Sequence, residues 1–480
     1  MNEFEWIRFD QFYPLDPCAI EQTPMRYLEH ILRYTTYLFL FLFPWQTILL
    51  LQERFVGGVK WEYGTIGLFT IELLGWVVAL LFMMWYTKKN QKSKIKIQNF
   101  RWSKDRIFLF SLLLFISYGL LSSFLAGDSA LAFQHGQWVM LGTLLFLLFY
   151  IGPVKVKPAL WVLVLGSIPV SLLGIWQFLT QSTFASTLLG VSQHVVFESG
   201  TSIIQSPDIG RWLRAYGSFS HPNVFGGYLV FSIASTLLLS FSVQRWKRVG
   251  LQAMVVVQSA ALFFTFSRSA WMSTVIVIVS YGVIVVRKKM YRRLAFVVSI
   301  LLTFSVLSFI YMPLMHTRFF PTSQNEISSI TERVVGYSNA ITLFQEHWLF
   351  GVGGGNYTYA FMQLEPSMPV WWYQPVHNVG VLFVVEYGVL GILLLGFVIV
   401  NCMRNFPHKT DLSLVEKLVL KHLCSLKMRN FGLYIGMLIP MLSLDHYLWS
   451  SFTGVVLLFA YSGLYMRYIS YEISPHVVPI

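Results

Sequence analysis

The chain has 480 residues, 55% of them hydrophobic and only 12% charged, with 41 Phe, 24 Tyr and 16 Trp and a formal net charge of +13. A soluble domain carries about twice that charged share, so this composition excludes an ordinary soluble globular protein and reads as an all-α polytopic membrane protein. In such a chain the positive balance is first a topology signal rather than a nucleic-acid footprint, and no nucleic-acid partner is expected.

Apolar runs of about 20 residues, each long enough to cross a hydrocarbon layer about 30 Å thick, recur along the whole length. In chain order they cover 31–51, 63–86, 107–126, 134–152, 159–181, 222–243, 251–266, 270–286, 294–313, 376–400, 431–448 and 451–469. This gives about 12 predicted spans, the seventh and eighth being short. Residues 1–30 are polar and aromatic without a cleavable signal pattern, so the first span is expected to target the chain to the membrane. If the N-terminus is cytoplasmic, the inside loops hold 24 of the 35 Lys and Arg, including "TKKNQKSKIKIQNFRWSKDR" (87–106) and "RKKMYRR" (287–293). The outside loops hold seven: Arg54, Lys60, Arg211, Arg214, Arg268, Arg318 and Arg333. That bias predicts both termini inside. The expected layout is a cytoplasmic segment 1–30, one membrane domain 31–470 and a tail 471–480. Cys18, Cys402 and Cys424 all fall on the cytoplasmic side, none in a CxxC pair, so neither a disulfide framework nor a zinc site is implied.

Two long outside loops, 182–221 and 314–375, collect the unusual polar residues. The first ends in "RWLRAYGSFSHPNVFGG", in which His221 precedes Pro222 and Asn223 at the mouth of the sixth span. In the second, Ser329 three residues before Glu332 is a capping-box pattern. Ile330, Val334, Tyr337, Ile341 and Phe344 follow at helical spacing, predicting a surface helix over 328–346 with Arg333 near its start. "LFGVGGGNYTYAF" follows, where Gly353 and Gly355 either bring backbone close to a ligand or make a turn. "WWYQPVHNVG" then sets His377 and Asn378 at the start of the tenth span, echoing His221-Pro222-Asn223. "FTFSRSAW" puts Arg268 at one further outside turn and "SLDHYLWSS" puts Asp445 and His446 at another.

A lone arginine at a membrane surface is ordinarily a snorkelling residue. Arg214, Arg268 and Arg333 come from distant parts of the chain, and a planar fork of donors suits phosphate, with more than one needed for a diphosphate. His377 is a candidate general base, because an unperturbed imidazole is substantially neutral near pH 7. His221 reads equally as a cap before Pro222 at the first helical position. Glu72 and Glu386 lie inside apolar spans and rank as structural or supporting groups. No DxD pair or Walker motif occurs, so neither a metal nor a cofactor is expected.

"RAYGSFSHPNVFGGYLVF", "FTFSRSAW", "TERVVGYSNAITLFQEHWLFGVGGGNY" and "PVHNVGVLFVVEYGVLGILLLG", in that order, resemble the O-antigen ligase and polymerase superfamily of bacterial membrane glycosyltransferases. The motifs cover roughly residues 200–400. The resemblance implies a GT-C-like architecture of twelve spans in the bacterial cytoplasmic membrane, with a metal-free active site facing the periplasm or exterior. It implies an undecaprenyl diphosphate-linked glycan as donor and a glycan, lipid core or protein as acceptor. Carried onto this chain, Arg214 and Arg333 match the diphosphate-binding arginines, His377 the general base, and Arg268 a further characteristic arginine. Asn378, His221, Asn223, Gly353, Gly355, Asp445 and His446 are the expected substrate-binding set. The chain departs from the pattern at His347-Trp348, where the family often has His-Pro, and in its basic loop 87–106. Aromatic residues around 357–373 are expected to offer stacking faces for sugar rings. Two other readings remain: a twelve-span transporter or flippase, which calls for matching interrupted halves, and a polysaccharide-binding accessory subunit.

Overall fold

The computed structural model describes residues 17–92, 104–198, 200–206, 209–320, 324–404 and 431–472. Loop 87–106 lies largely outside the described residues, as do Cys424 and the expected cytoplasmic segment before residue 17. In order, the helices are α1 (Pro17–Leu42), α2 (Thr70–Lys92), α3 (Lys104–Leu121), α4 (Ser129–Ile151), α5 (Val156–Thr180), α6 (Pro222–Ser240), α7 (Arg245–Phe264), α8 (Arg268–Arg287) and α9 (Leu294–Ile310). They continue with α10 (Met312–Phe319), α11 (Gln324–Glu346), α12 (Tyr357–Leu364), α13 (Val379–Arg404), α14 (Phe431–Leu444), α15 (Tyr447–Ser450) and α16 (Phe452–Glu472). Each predicted apolar run overlaps a helix, although parts of the first two do not. Among the described residues nine helical stretches are long and apolar enough to cross a bilayer. At 1.5 Å per residue each is about 28–39 Å long, matching the hydrocarbon thickness.

The most enclosed helix is α6, where 89% of the apolar window is buried. It packs against α5, α7, α8 and α16. Lipid and leucine are equally apolar, so helices in a membrane need specific contacts to associate. Here Gln258 of α7 supplies them: Nε2 donates to Ser167 Oγ of α5 and to Ser232 Oγ of α6, both at 2.9 Å, while Oε1 accepts from Thr236 Oγ1 at 3.0 Å. Small residues close the remaining gaps, since a Cβ on Gly463 of α16 would lie 2.3 Å from the Phe146 carbonyl oxygen of α4.

Three expectations are corrected. The first span does not run to 51: α1 ends at Leu42, before Pro44, and Ile48–Gln52 form strand β1. Nor does the second begin at 63, because Ile66–Phe69 form β4, the antiparallel partner of β1 with Ile48 opposite Phe69. Between them lies the short hairpin β2 (Phe55–Val56) and β3 (Val59–Lys60). The surface helix is described from Gln324, not from 328, so Ser329 lies within it.

One break in a membrane helix shapes the loop between α11 and α13. At Gly388, φ is 61° and ψ −167°, which interrupts α13. A broken helix leaves backbone groups without partners, and these must be satisfied from elsewhere in the protein. Residues 348–353 form a strap that does so. Val352 N donates to Val385 O and Gly353 N to Glu386 O, both at 3.0 Å, while Val389 N donates to Trp348 O at 2.9 Å and Leu390 N to Leu349 O at 3.1 Å. Tyr118 of α3 locks the join, its hydroxyl 2.8 Å from both Phe350 O and Tyr387 O.

Candidate functional site

The segment that precedes α6 is held in place by α5. Gln181 Oε1 accepts from Leu213 N at 2.7 Å, and Gln177 Oε1 accepts from Tyr216 N at 3.1 Å and Gly217 N at 2.8 Å. Strand β5 (Ile203–Ser206) pairs with β6 (Gly210–Leu213) just before it, and Ala215 N donates to Phe264 O at the end of α7. This bracing fixes Arg214, which is 4% exposed. Its Nε donates to Thr265 O at 2.6 Å, Nη1 to Ser202 Oγ at 2.6 Å and Nη2 to Asn223 Oδ1 at 2.7 Å. The guanidinium thus joins the hairpin, the α7–α8 turn and the start of α6. These three acceptors are neutral and orient the guanidinium, which also acts on the Asp445 carboxyl.

Around Arg214 several helix ends meet. His221 is the N-cap of α6, its Nδ1 accepting from Asn223 N at 3.1 Å, as the Pro222 pattern suggests. Asp445, between α14 and α15, receives Ser269 Oγ of α8 at 3.5 Å and lies within reach of Asn223. Its neighbour His446 sets its ring edge-on to His377, centroids 5.0 Å apart, and to Tyr63 at 5.8 Å. His446 Nδ1 is 2.7 Å from Ser450 Oγ. Asn378 caps α13 through Oδ1, which accepts from Val381 N at 3.0 Å, and its Nδ2 donates to Ser443 O at 3.4 Å. Arg333, half-buried on α11, acts electrostatically on His377, His446 and Asp445. Arg318, at the end of α10, donates from Nε to Phe266 O at 3.1 Å and acts on His221.

The cluster therefore carries Arg214, Arg318 and Arg333 beside the Asp445 carboxyl, with Glu332 next to Arg333, and its histidines are neutral. Burial, reinforced by Arg333, pulls the His377 imidazole down to about 4. Burial likewise holds His221 and His446 well below the usual value, with nearby arginines and histidines adding to the effect. Burial pushes the Asp445 carboxyl up to about 6, against the opposing pull of its hydrogen bond from the His446 amide and of Arg333 and Arg214. Such an enclosure favours an anion, and it keeps an imidazole lone pair available beside that anion.

The structure brings together Arg214, Arg333, His377, His221, Asn223, Asp445 and His446, with Asn378 at the rim. Arg268 is the first residue of α8, one position before Ser269. The glycines lie elsewhere. A Cβ on Gly353 would meet Ala126 and one on Gly355 would meet His135, so they pack their loop against the α3–α4 turn and α4 rather than facing the cluster. Their loop also encloses Glu386, whose Oε2 accepts from Trp449 Nε1 at 2.8 Å and towards which the Gly355 and Tyr357 amides point; this is the supporting role expected of that residue. Of the aromatics over 357–373, Tyr357, Phe361 and Tyr373 are buried in the core, whereas Trp371 is exposed. Arg211 donates to Val196 O at 2.8 Å, and Arg54 pairs with Asp128 at the start of α4; neither belongs to the cluster.

Sequence reading missed Arg318, His194 and Tyr63. Arg318 carried a usable signal, being one more arginine on the side where basic residues are scarce. His194 stacks on Tyr216 with centroids 3.8 Å apart and acts on His221, a contact set by hairpin geometry that no local pattern announces. Among the described residues no three His, Cys, Asp or Glu form a group suited to a metal ion.

No curated protein matches the chain. Arg268, Arg318, Arg333 and His377 all fall within residues 253–396, the stretch that matches the family described as O-antigen ligase, and this is the superfamily that the four motifs resemble.

Proposed function

We propose that the chain is a membrane glycosyltransferase that moves a glycan from an undecaprenyl diphosphate-linked donor to an acceptor hydroxyl in surface polysaccharide synthesis. The family match supports an O-antigen ligase or polymerase type of function at this coarser level. The observation that carries the finer reading is the gathering of Arg214 and Arg318 beside His221, and of Arg333 beside a neutral His377, around Asp445. In this reading the cluster opens to the outer face of the cytoplasmic membrane, in a GT-C-like bundle of twelve crossings with both ends inside.

The acceptor oxygen attacks C1 of the donor sugar from the face opposite the leaving group, so the linkage inverts. The C1–oxygen bond to the diphosphate breaks, and the electron pair leaves with the diphosphate. Arg214 and Arg333, supported by Arg318 beside His221 and by Arg268 at the start of α8, offset that charge, the role a divalent cation fills elsewhere. The hydroxyl proton passes to His377, and Asp445 steadies the arginines. An imidazole whose conjugate acid titrates near 4 is a weak base at neutral pH. Part of that depression comes from Arg333, and a bound diphosphate neutralises Arg333, so donor binding itself strengthens the base.

Deletion of the gene followed by mass spectrometry of surface glycans and lipid-linked precursors tests the proposal. Short unpolymerised units indicate a polymerase and long unattached chains a ligase. Unchanged glycans with altered small-molecule uptake would overturn the enzymatic reading in favour of a transporter.

A further inference from the structure

At the end of the bundle opposite the histidine–arginine cluster lies a second concentration of positive charge that the transferase reading does not use. α8 carries the chain about 30 Å from Arg268 to Arg287, and the turn into α9 closes against the start of α7. There a cavity of about 370 Å³ is lined by Arg248, Lys289, Met290, Tyr291, Arg292 and Arg293, within the size range of small-ligand sites.

Outward-facing lysines at a membrane edge are ordinary; a buried arginine facing a half-buried one is not. Arg293 is 8% exposed, and its guanidinium lies in electrostatic reach of Arg248, a like charge. Among the described residues neutral groups steady Arg293: Nη2 donates to Phe241 O at 3.2 Å, and the head sits 5.0 Å over the Phe241 ring. Arg248 donates from Nη2 to Val243 O at 3.3 Å, while its Nε is buried and has no acceptor among the described residues. The chain cannot answer this locally, because between Asp208 and Glu326 the sequence contains no Asp or Glu at all. The ion pairs among the described residues, Arg54–Asp128 and Lys60–Glu53, lie in and beside the hairpin of the first outer loop. Bringing like charges together in a partly buried recess costs free energy unless a counter-charge occupies it.

We infer that this cavity binds a phosphate-bearing anion, held by Arg248, Lys289, Arg292 and Arg293. Planar arginine donors suit phosphate oxygens, and the recess is framed by the ends of membrane-spanning helices, where basic pockets take phospholipid head groups. A phospholipid head group and a free phosphate ion share this chemistry, and the experiment separates them.

The purified full chain in neutral detergent is unfolded thermally in the presence of phosphatidylglycerol, phosphatidylcholine or inorganic phosphate. The comparison includes Lys289→Gln/Arg292→Gln, whose positions are exposed, Arg248→Gln, and a charge-matched control, Lys88→Gln/Lys89→Gln, at the end of α2. A ligand that binds the folded state alone raises the unfolding temperature with concentration. Phosphatidylglycerol is expected to do so for the wild type and the control, with the half-maximal concentration raised about thirtyfold in Lys289→Gln/Arg292→Gln. Arg248→Gln checks the buried wall, and Lys289→Gln/Arg292→Gln remains decisive should Arg248→Gln fail to fold. A response to inorganic phosphate as well assigns the site to free phosphate; a response to phosphatidylglycerol alone assigns it to the lipid. If neither anion stabilises more than phosphatidylcholine, or if the control loses the effect equally, the site does not exist.

Discussion

Arg214→Lys separates the charge of this residue from its shape. The arginine fork makes three hydrogen bonds, to Thr265 O, Ser202 Oγ and Asn223 Oδ1, within 2.6–2.7 Å. Hydrogen bonds to a charged group are worth about 1.5–3 kcal/mol each, so Arg214→Ala orphans three enclosed acceptors and endangers the fold of the whole segment. Lysine keeps the charge but is a compact point donor on a different stem, and it cannot span all three directions. Losing one of the bonds costs about 1.5–3 kcal/mol. If it is the bond to Asn223, then Asn223 and, through it, Asp445 lose their alignment. At 1.4 kcal/mol per factor of ten, kcat/KM for glycan transfer from a lipid diphosphate donor should fall roughly 10- to 100-fold. The assay uses protein reconstituted in liposomes, with folding checked by its unfolding profile. A folded Arg214→Lys protein with wild-type kcat/KM would refute the reasoning, because charge alone would then suffice.

The Asp445 carboxyl, pushed up to about 6, links activity and stability to pH with opposite signs. Ionised Asp445 is the form that steadies Arg333 and Arg214, so transfer should rise between about pH 5 and 7, and Asp445→Asn should flatten that rise; an unchanged profile in Asp445→Asn would remove the residue from the site. The folded carboxyl binds its proton more tightly than the unfolded one, so this group stabilises the fold fully below the ordinary carboxyl range and the gain is lost as pH rises through about 6. On α13, Gly388→Ala forces a side chain into a left-handed conformation, at about 1–2 kcal/mol, and sets its Cβ 2.4 Å from Leu349 O in the strap. Unfolding temperature should drop clearly, whereas Gly396→Ala on the same helix, where a Cβ meets nothing within 4 Å, should be neutral or slightly stabilising. Equal effects from both would mean that the strap does not depend on the break.

The helices and the convergence of distant polar residues were legible because both leave local marks: apolar runs of bilayer length, and arginines and histidines at the turns between those runs. What escaped was set by partners far along the chain. Ile48 to Leu51 continue the apolar run of α1, and only pairing with residues 66–69 turns them into a strand once Pro44 has stopped the helix. Gly353 and Gly355 look like a ligand-binding loop, yet their neighbours are the α3–α4 turn and α4, and the strap that ends at Gly353 answers a break at Gly388 that sits unmarked in "EYGVLGILLLG". Arg211 resembles Arg214 in sequence, but strand register sends one to a backbone carbonyl and the other into the cluster. His194 joined the cluster only through its stack on Tyr216.

The central claim, that the cluster around His377 is the transfer site, is tested most directly by one rate. Wild type and His377→Gln, each reconstituted in liposomes, are given the same undecaprenyl diphosphate-linked donor and saturating acceptor, and glycan transfer is followed by mass spectrometry. Loss of the proton acceptor predicts a fall in kcat of about 10²- to 10⁴-fold, with donor binding retained because Arg214 and Arg333 remain. Full transfer by folded His377→Gln would contradict the account.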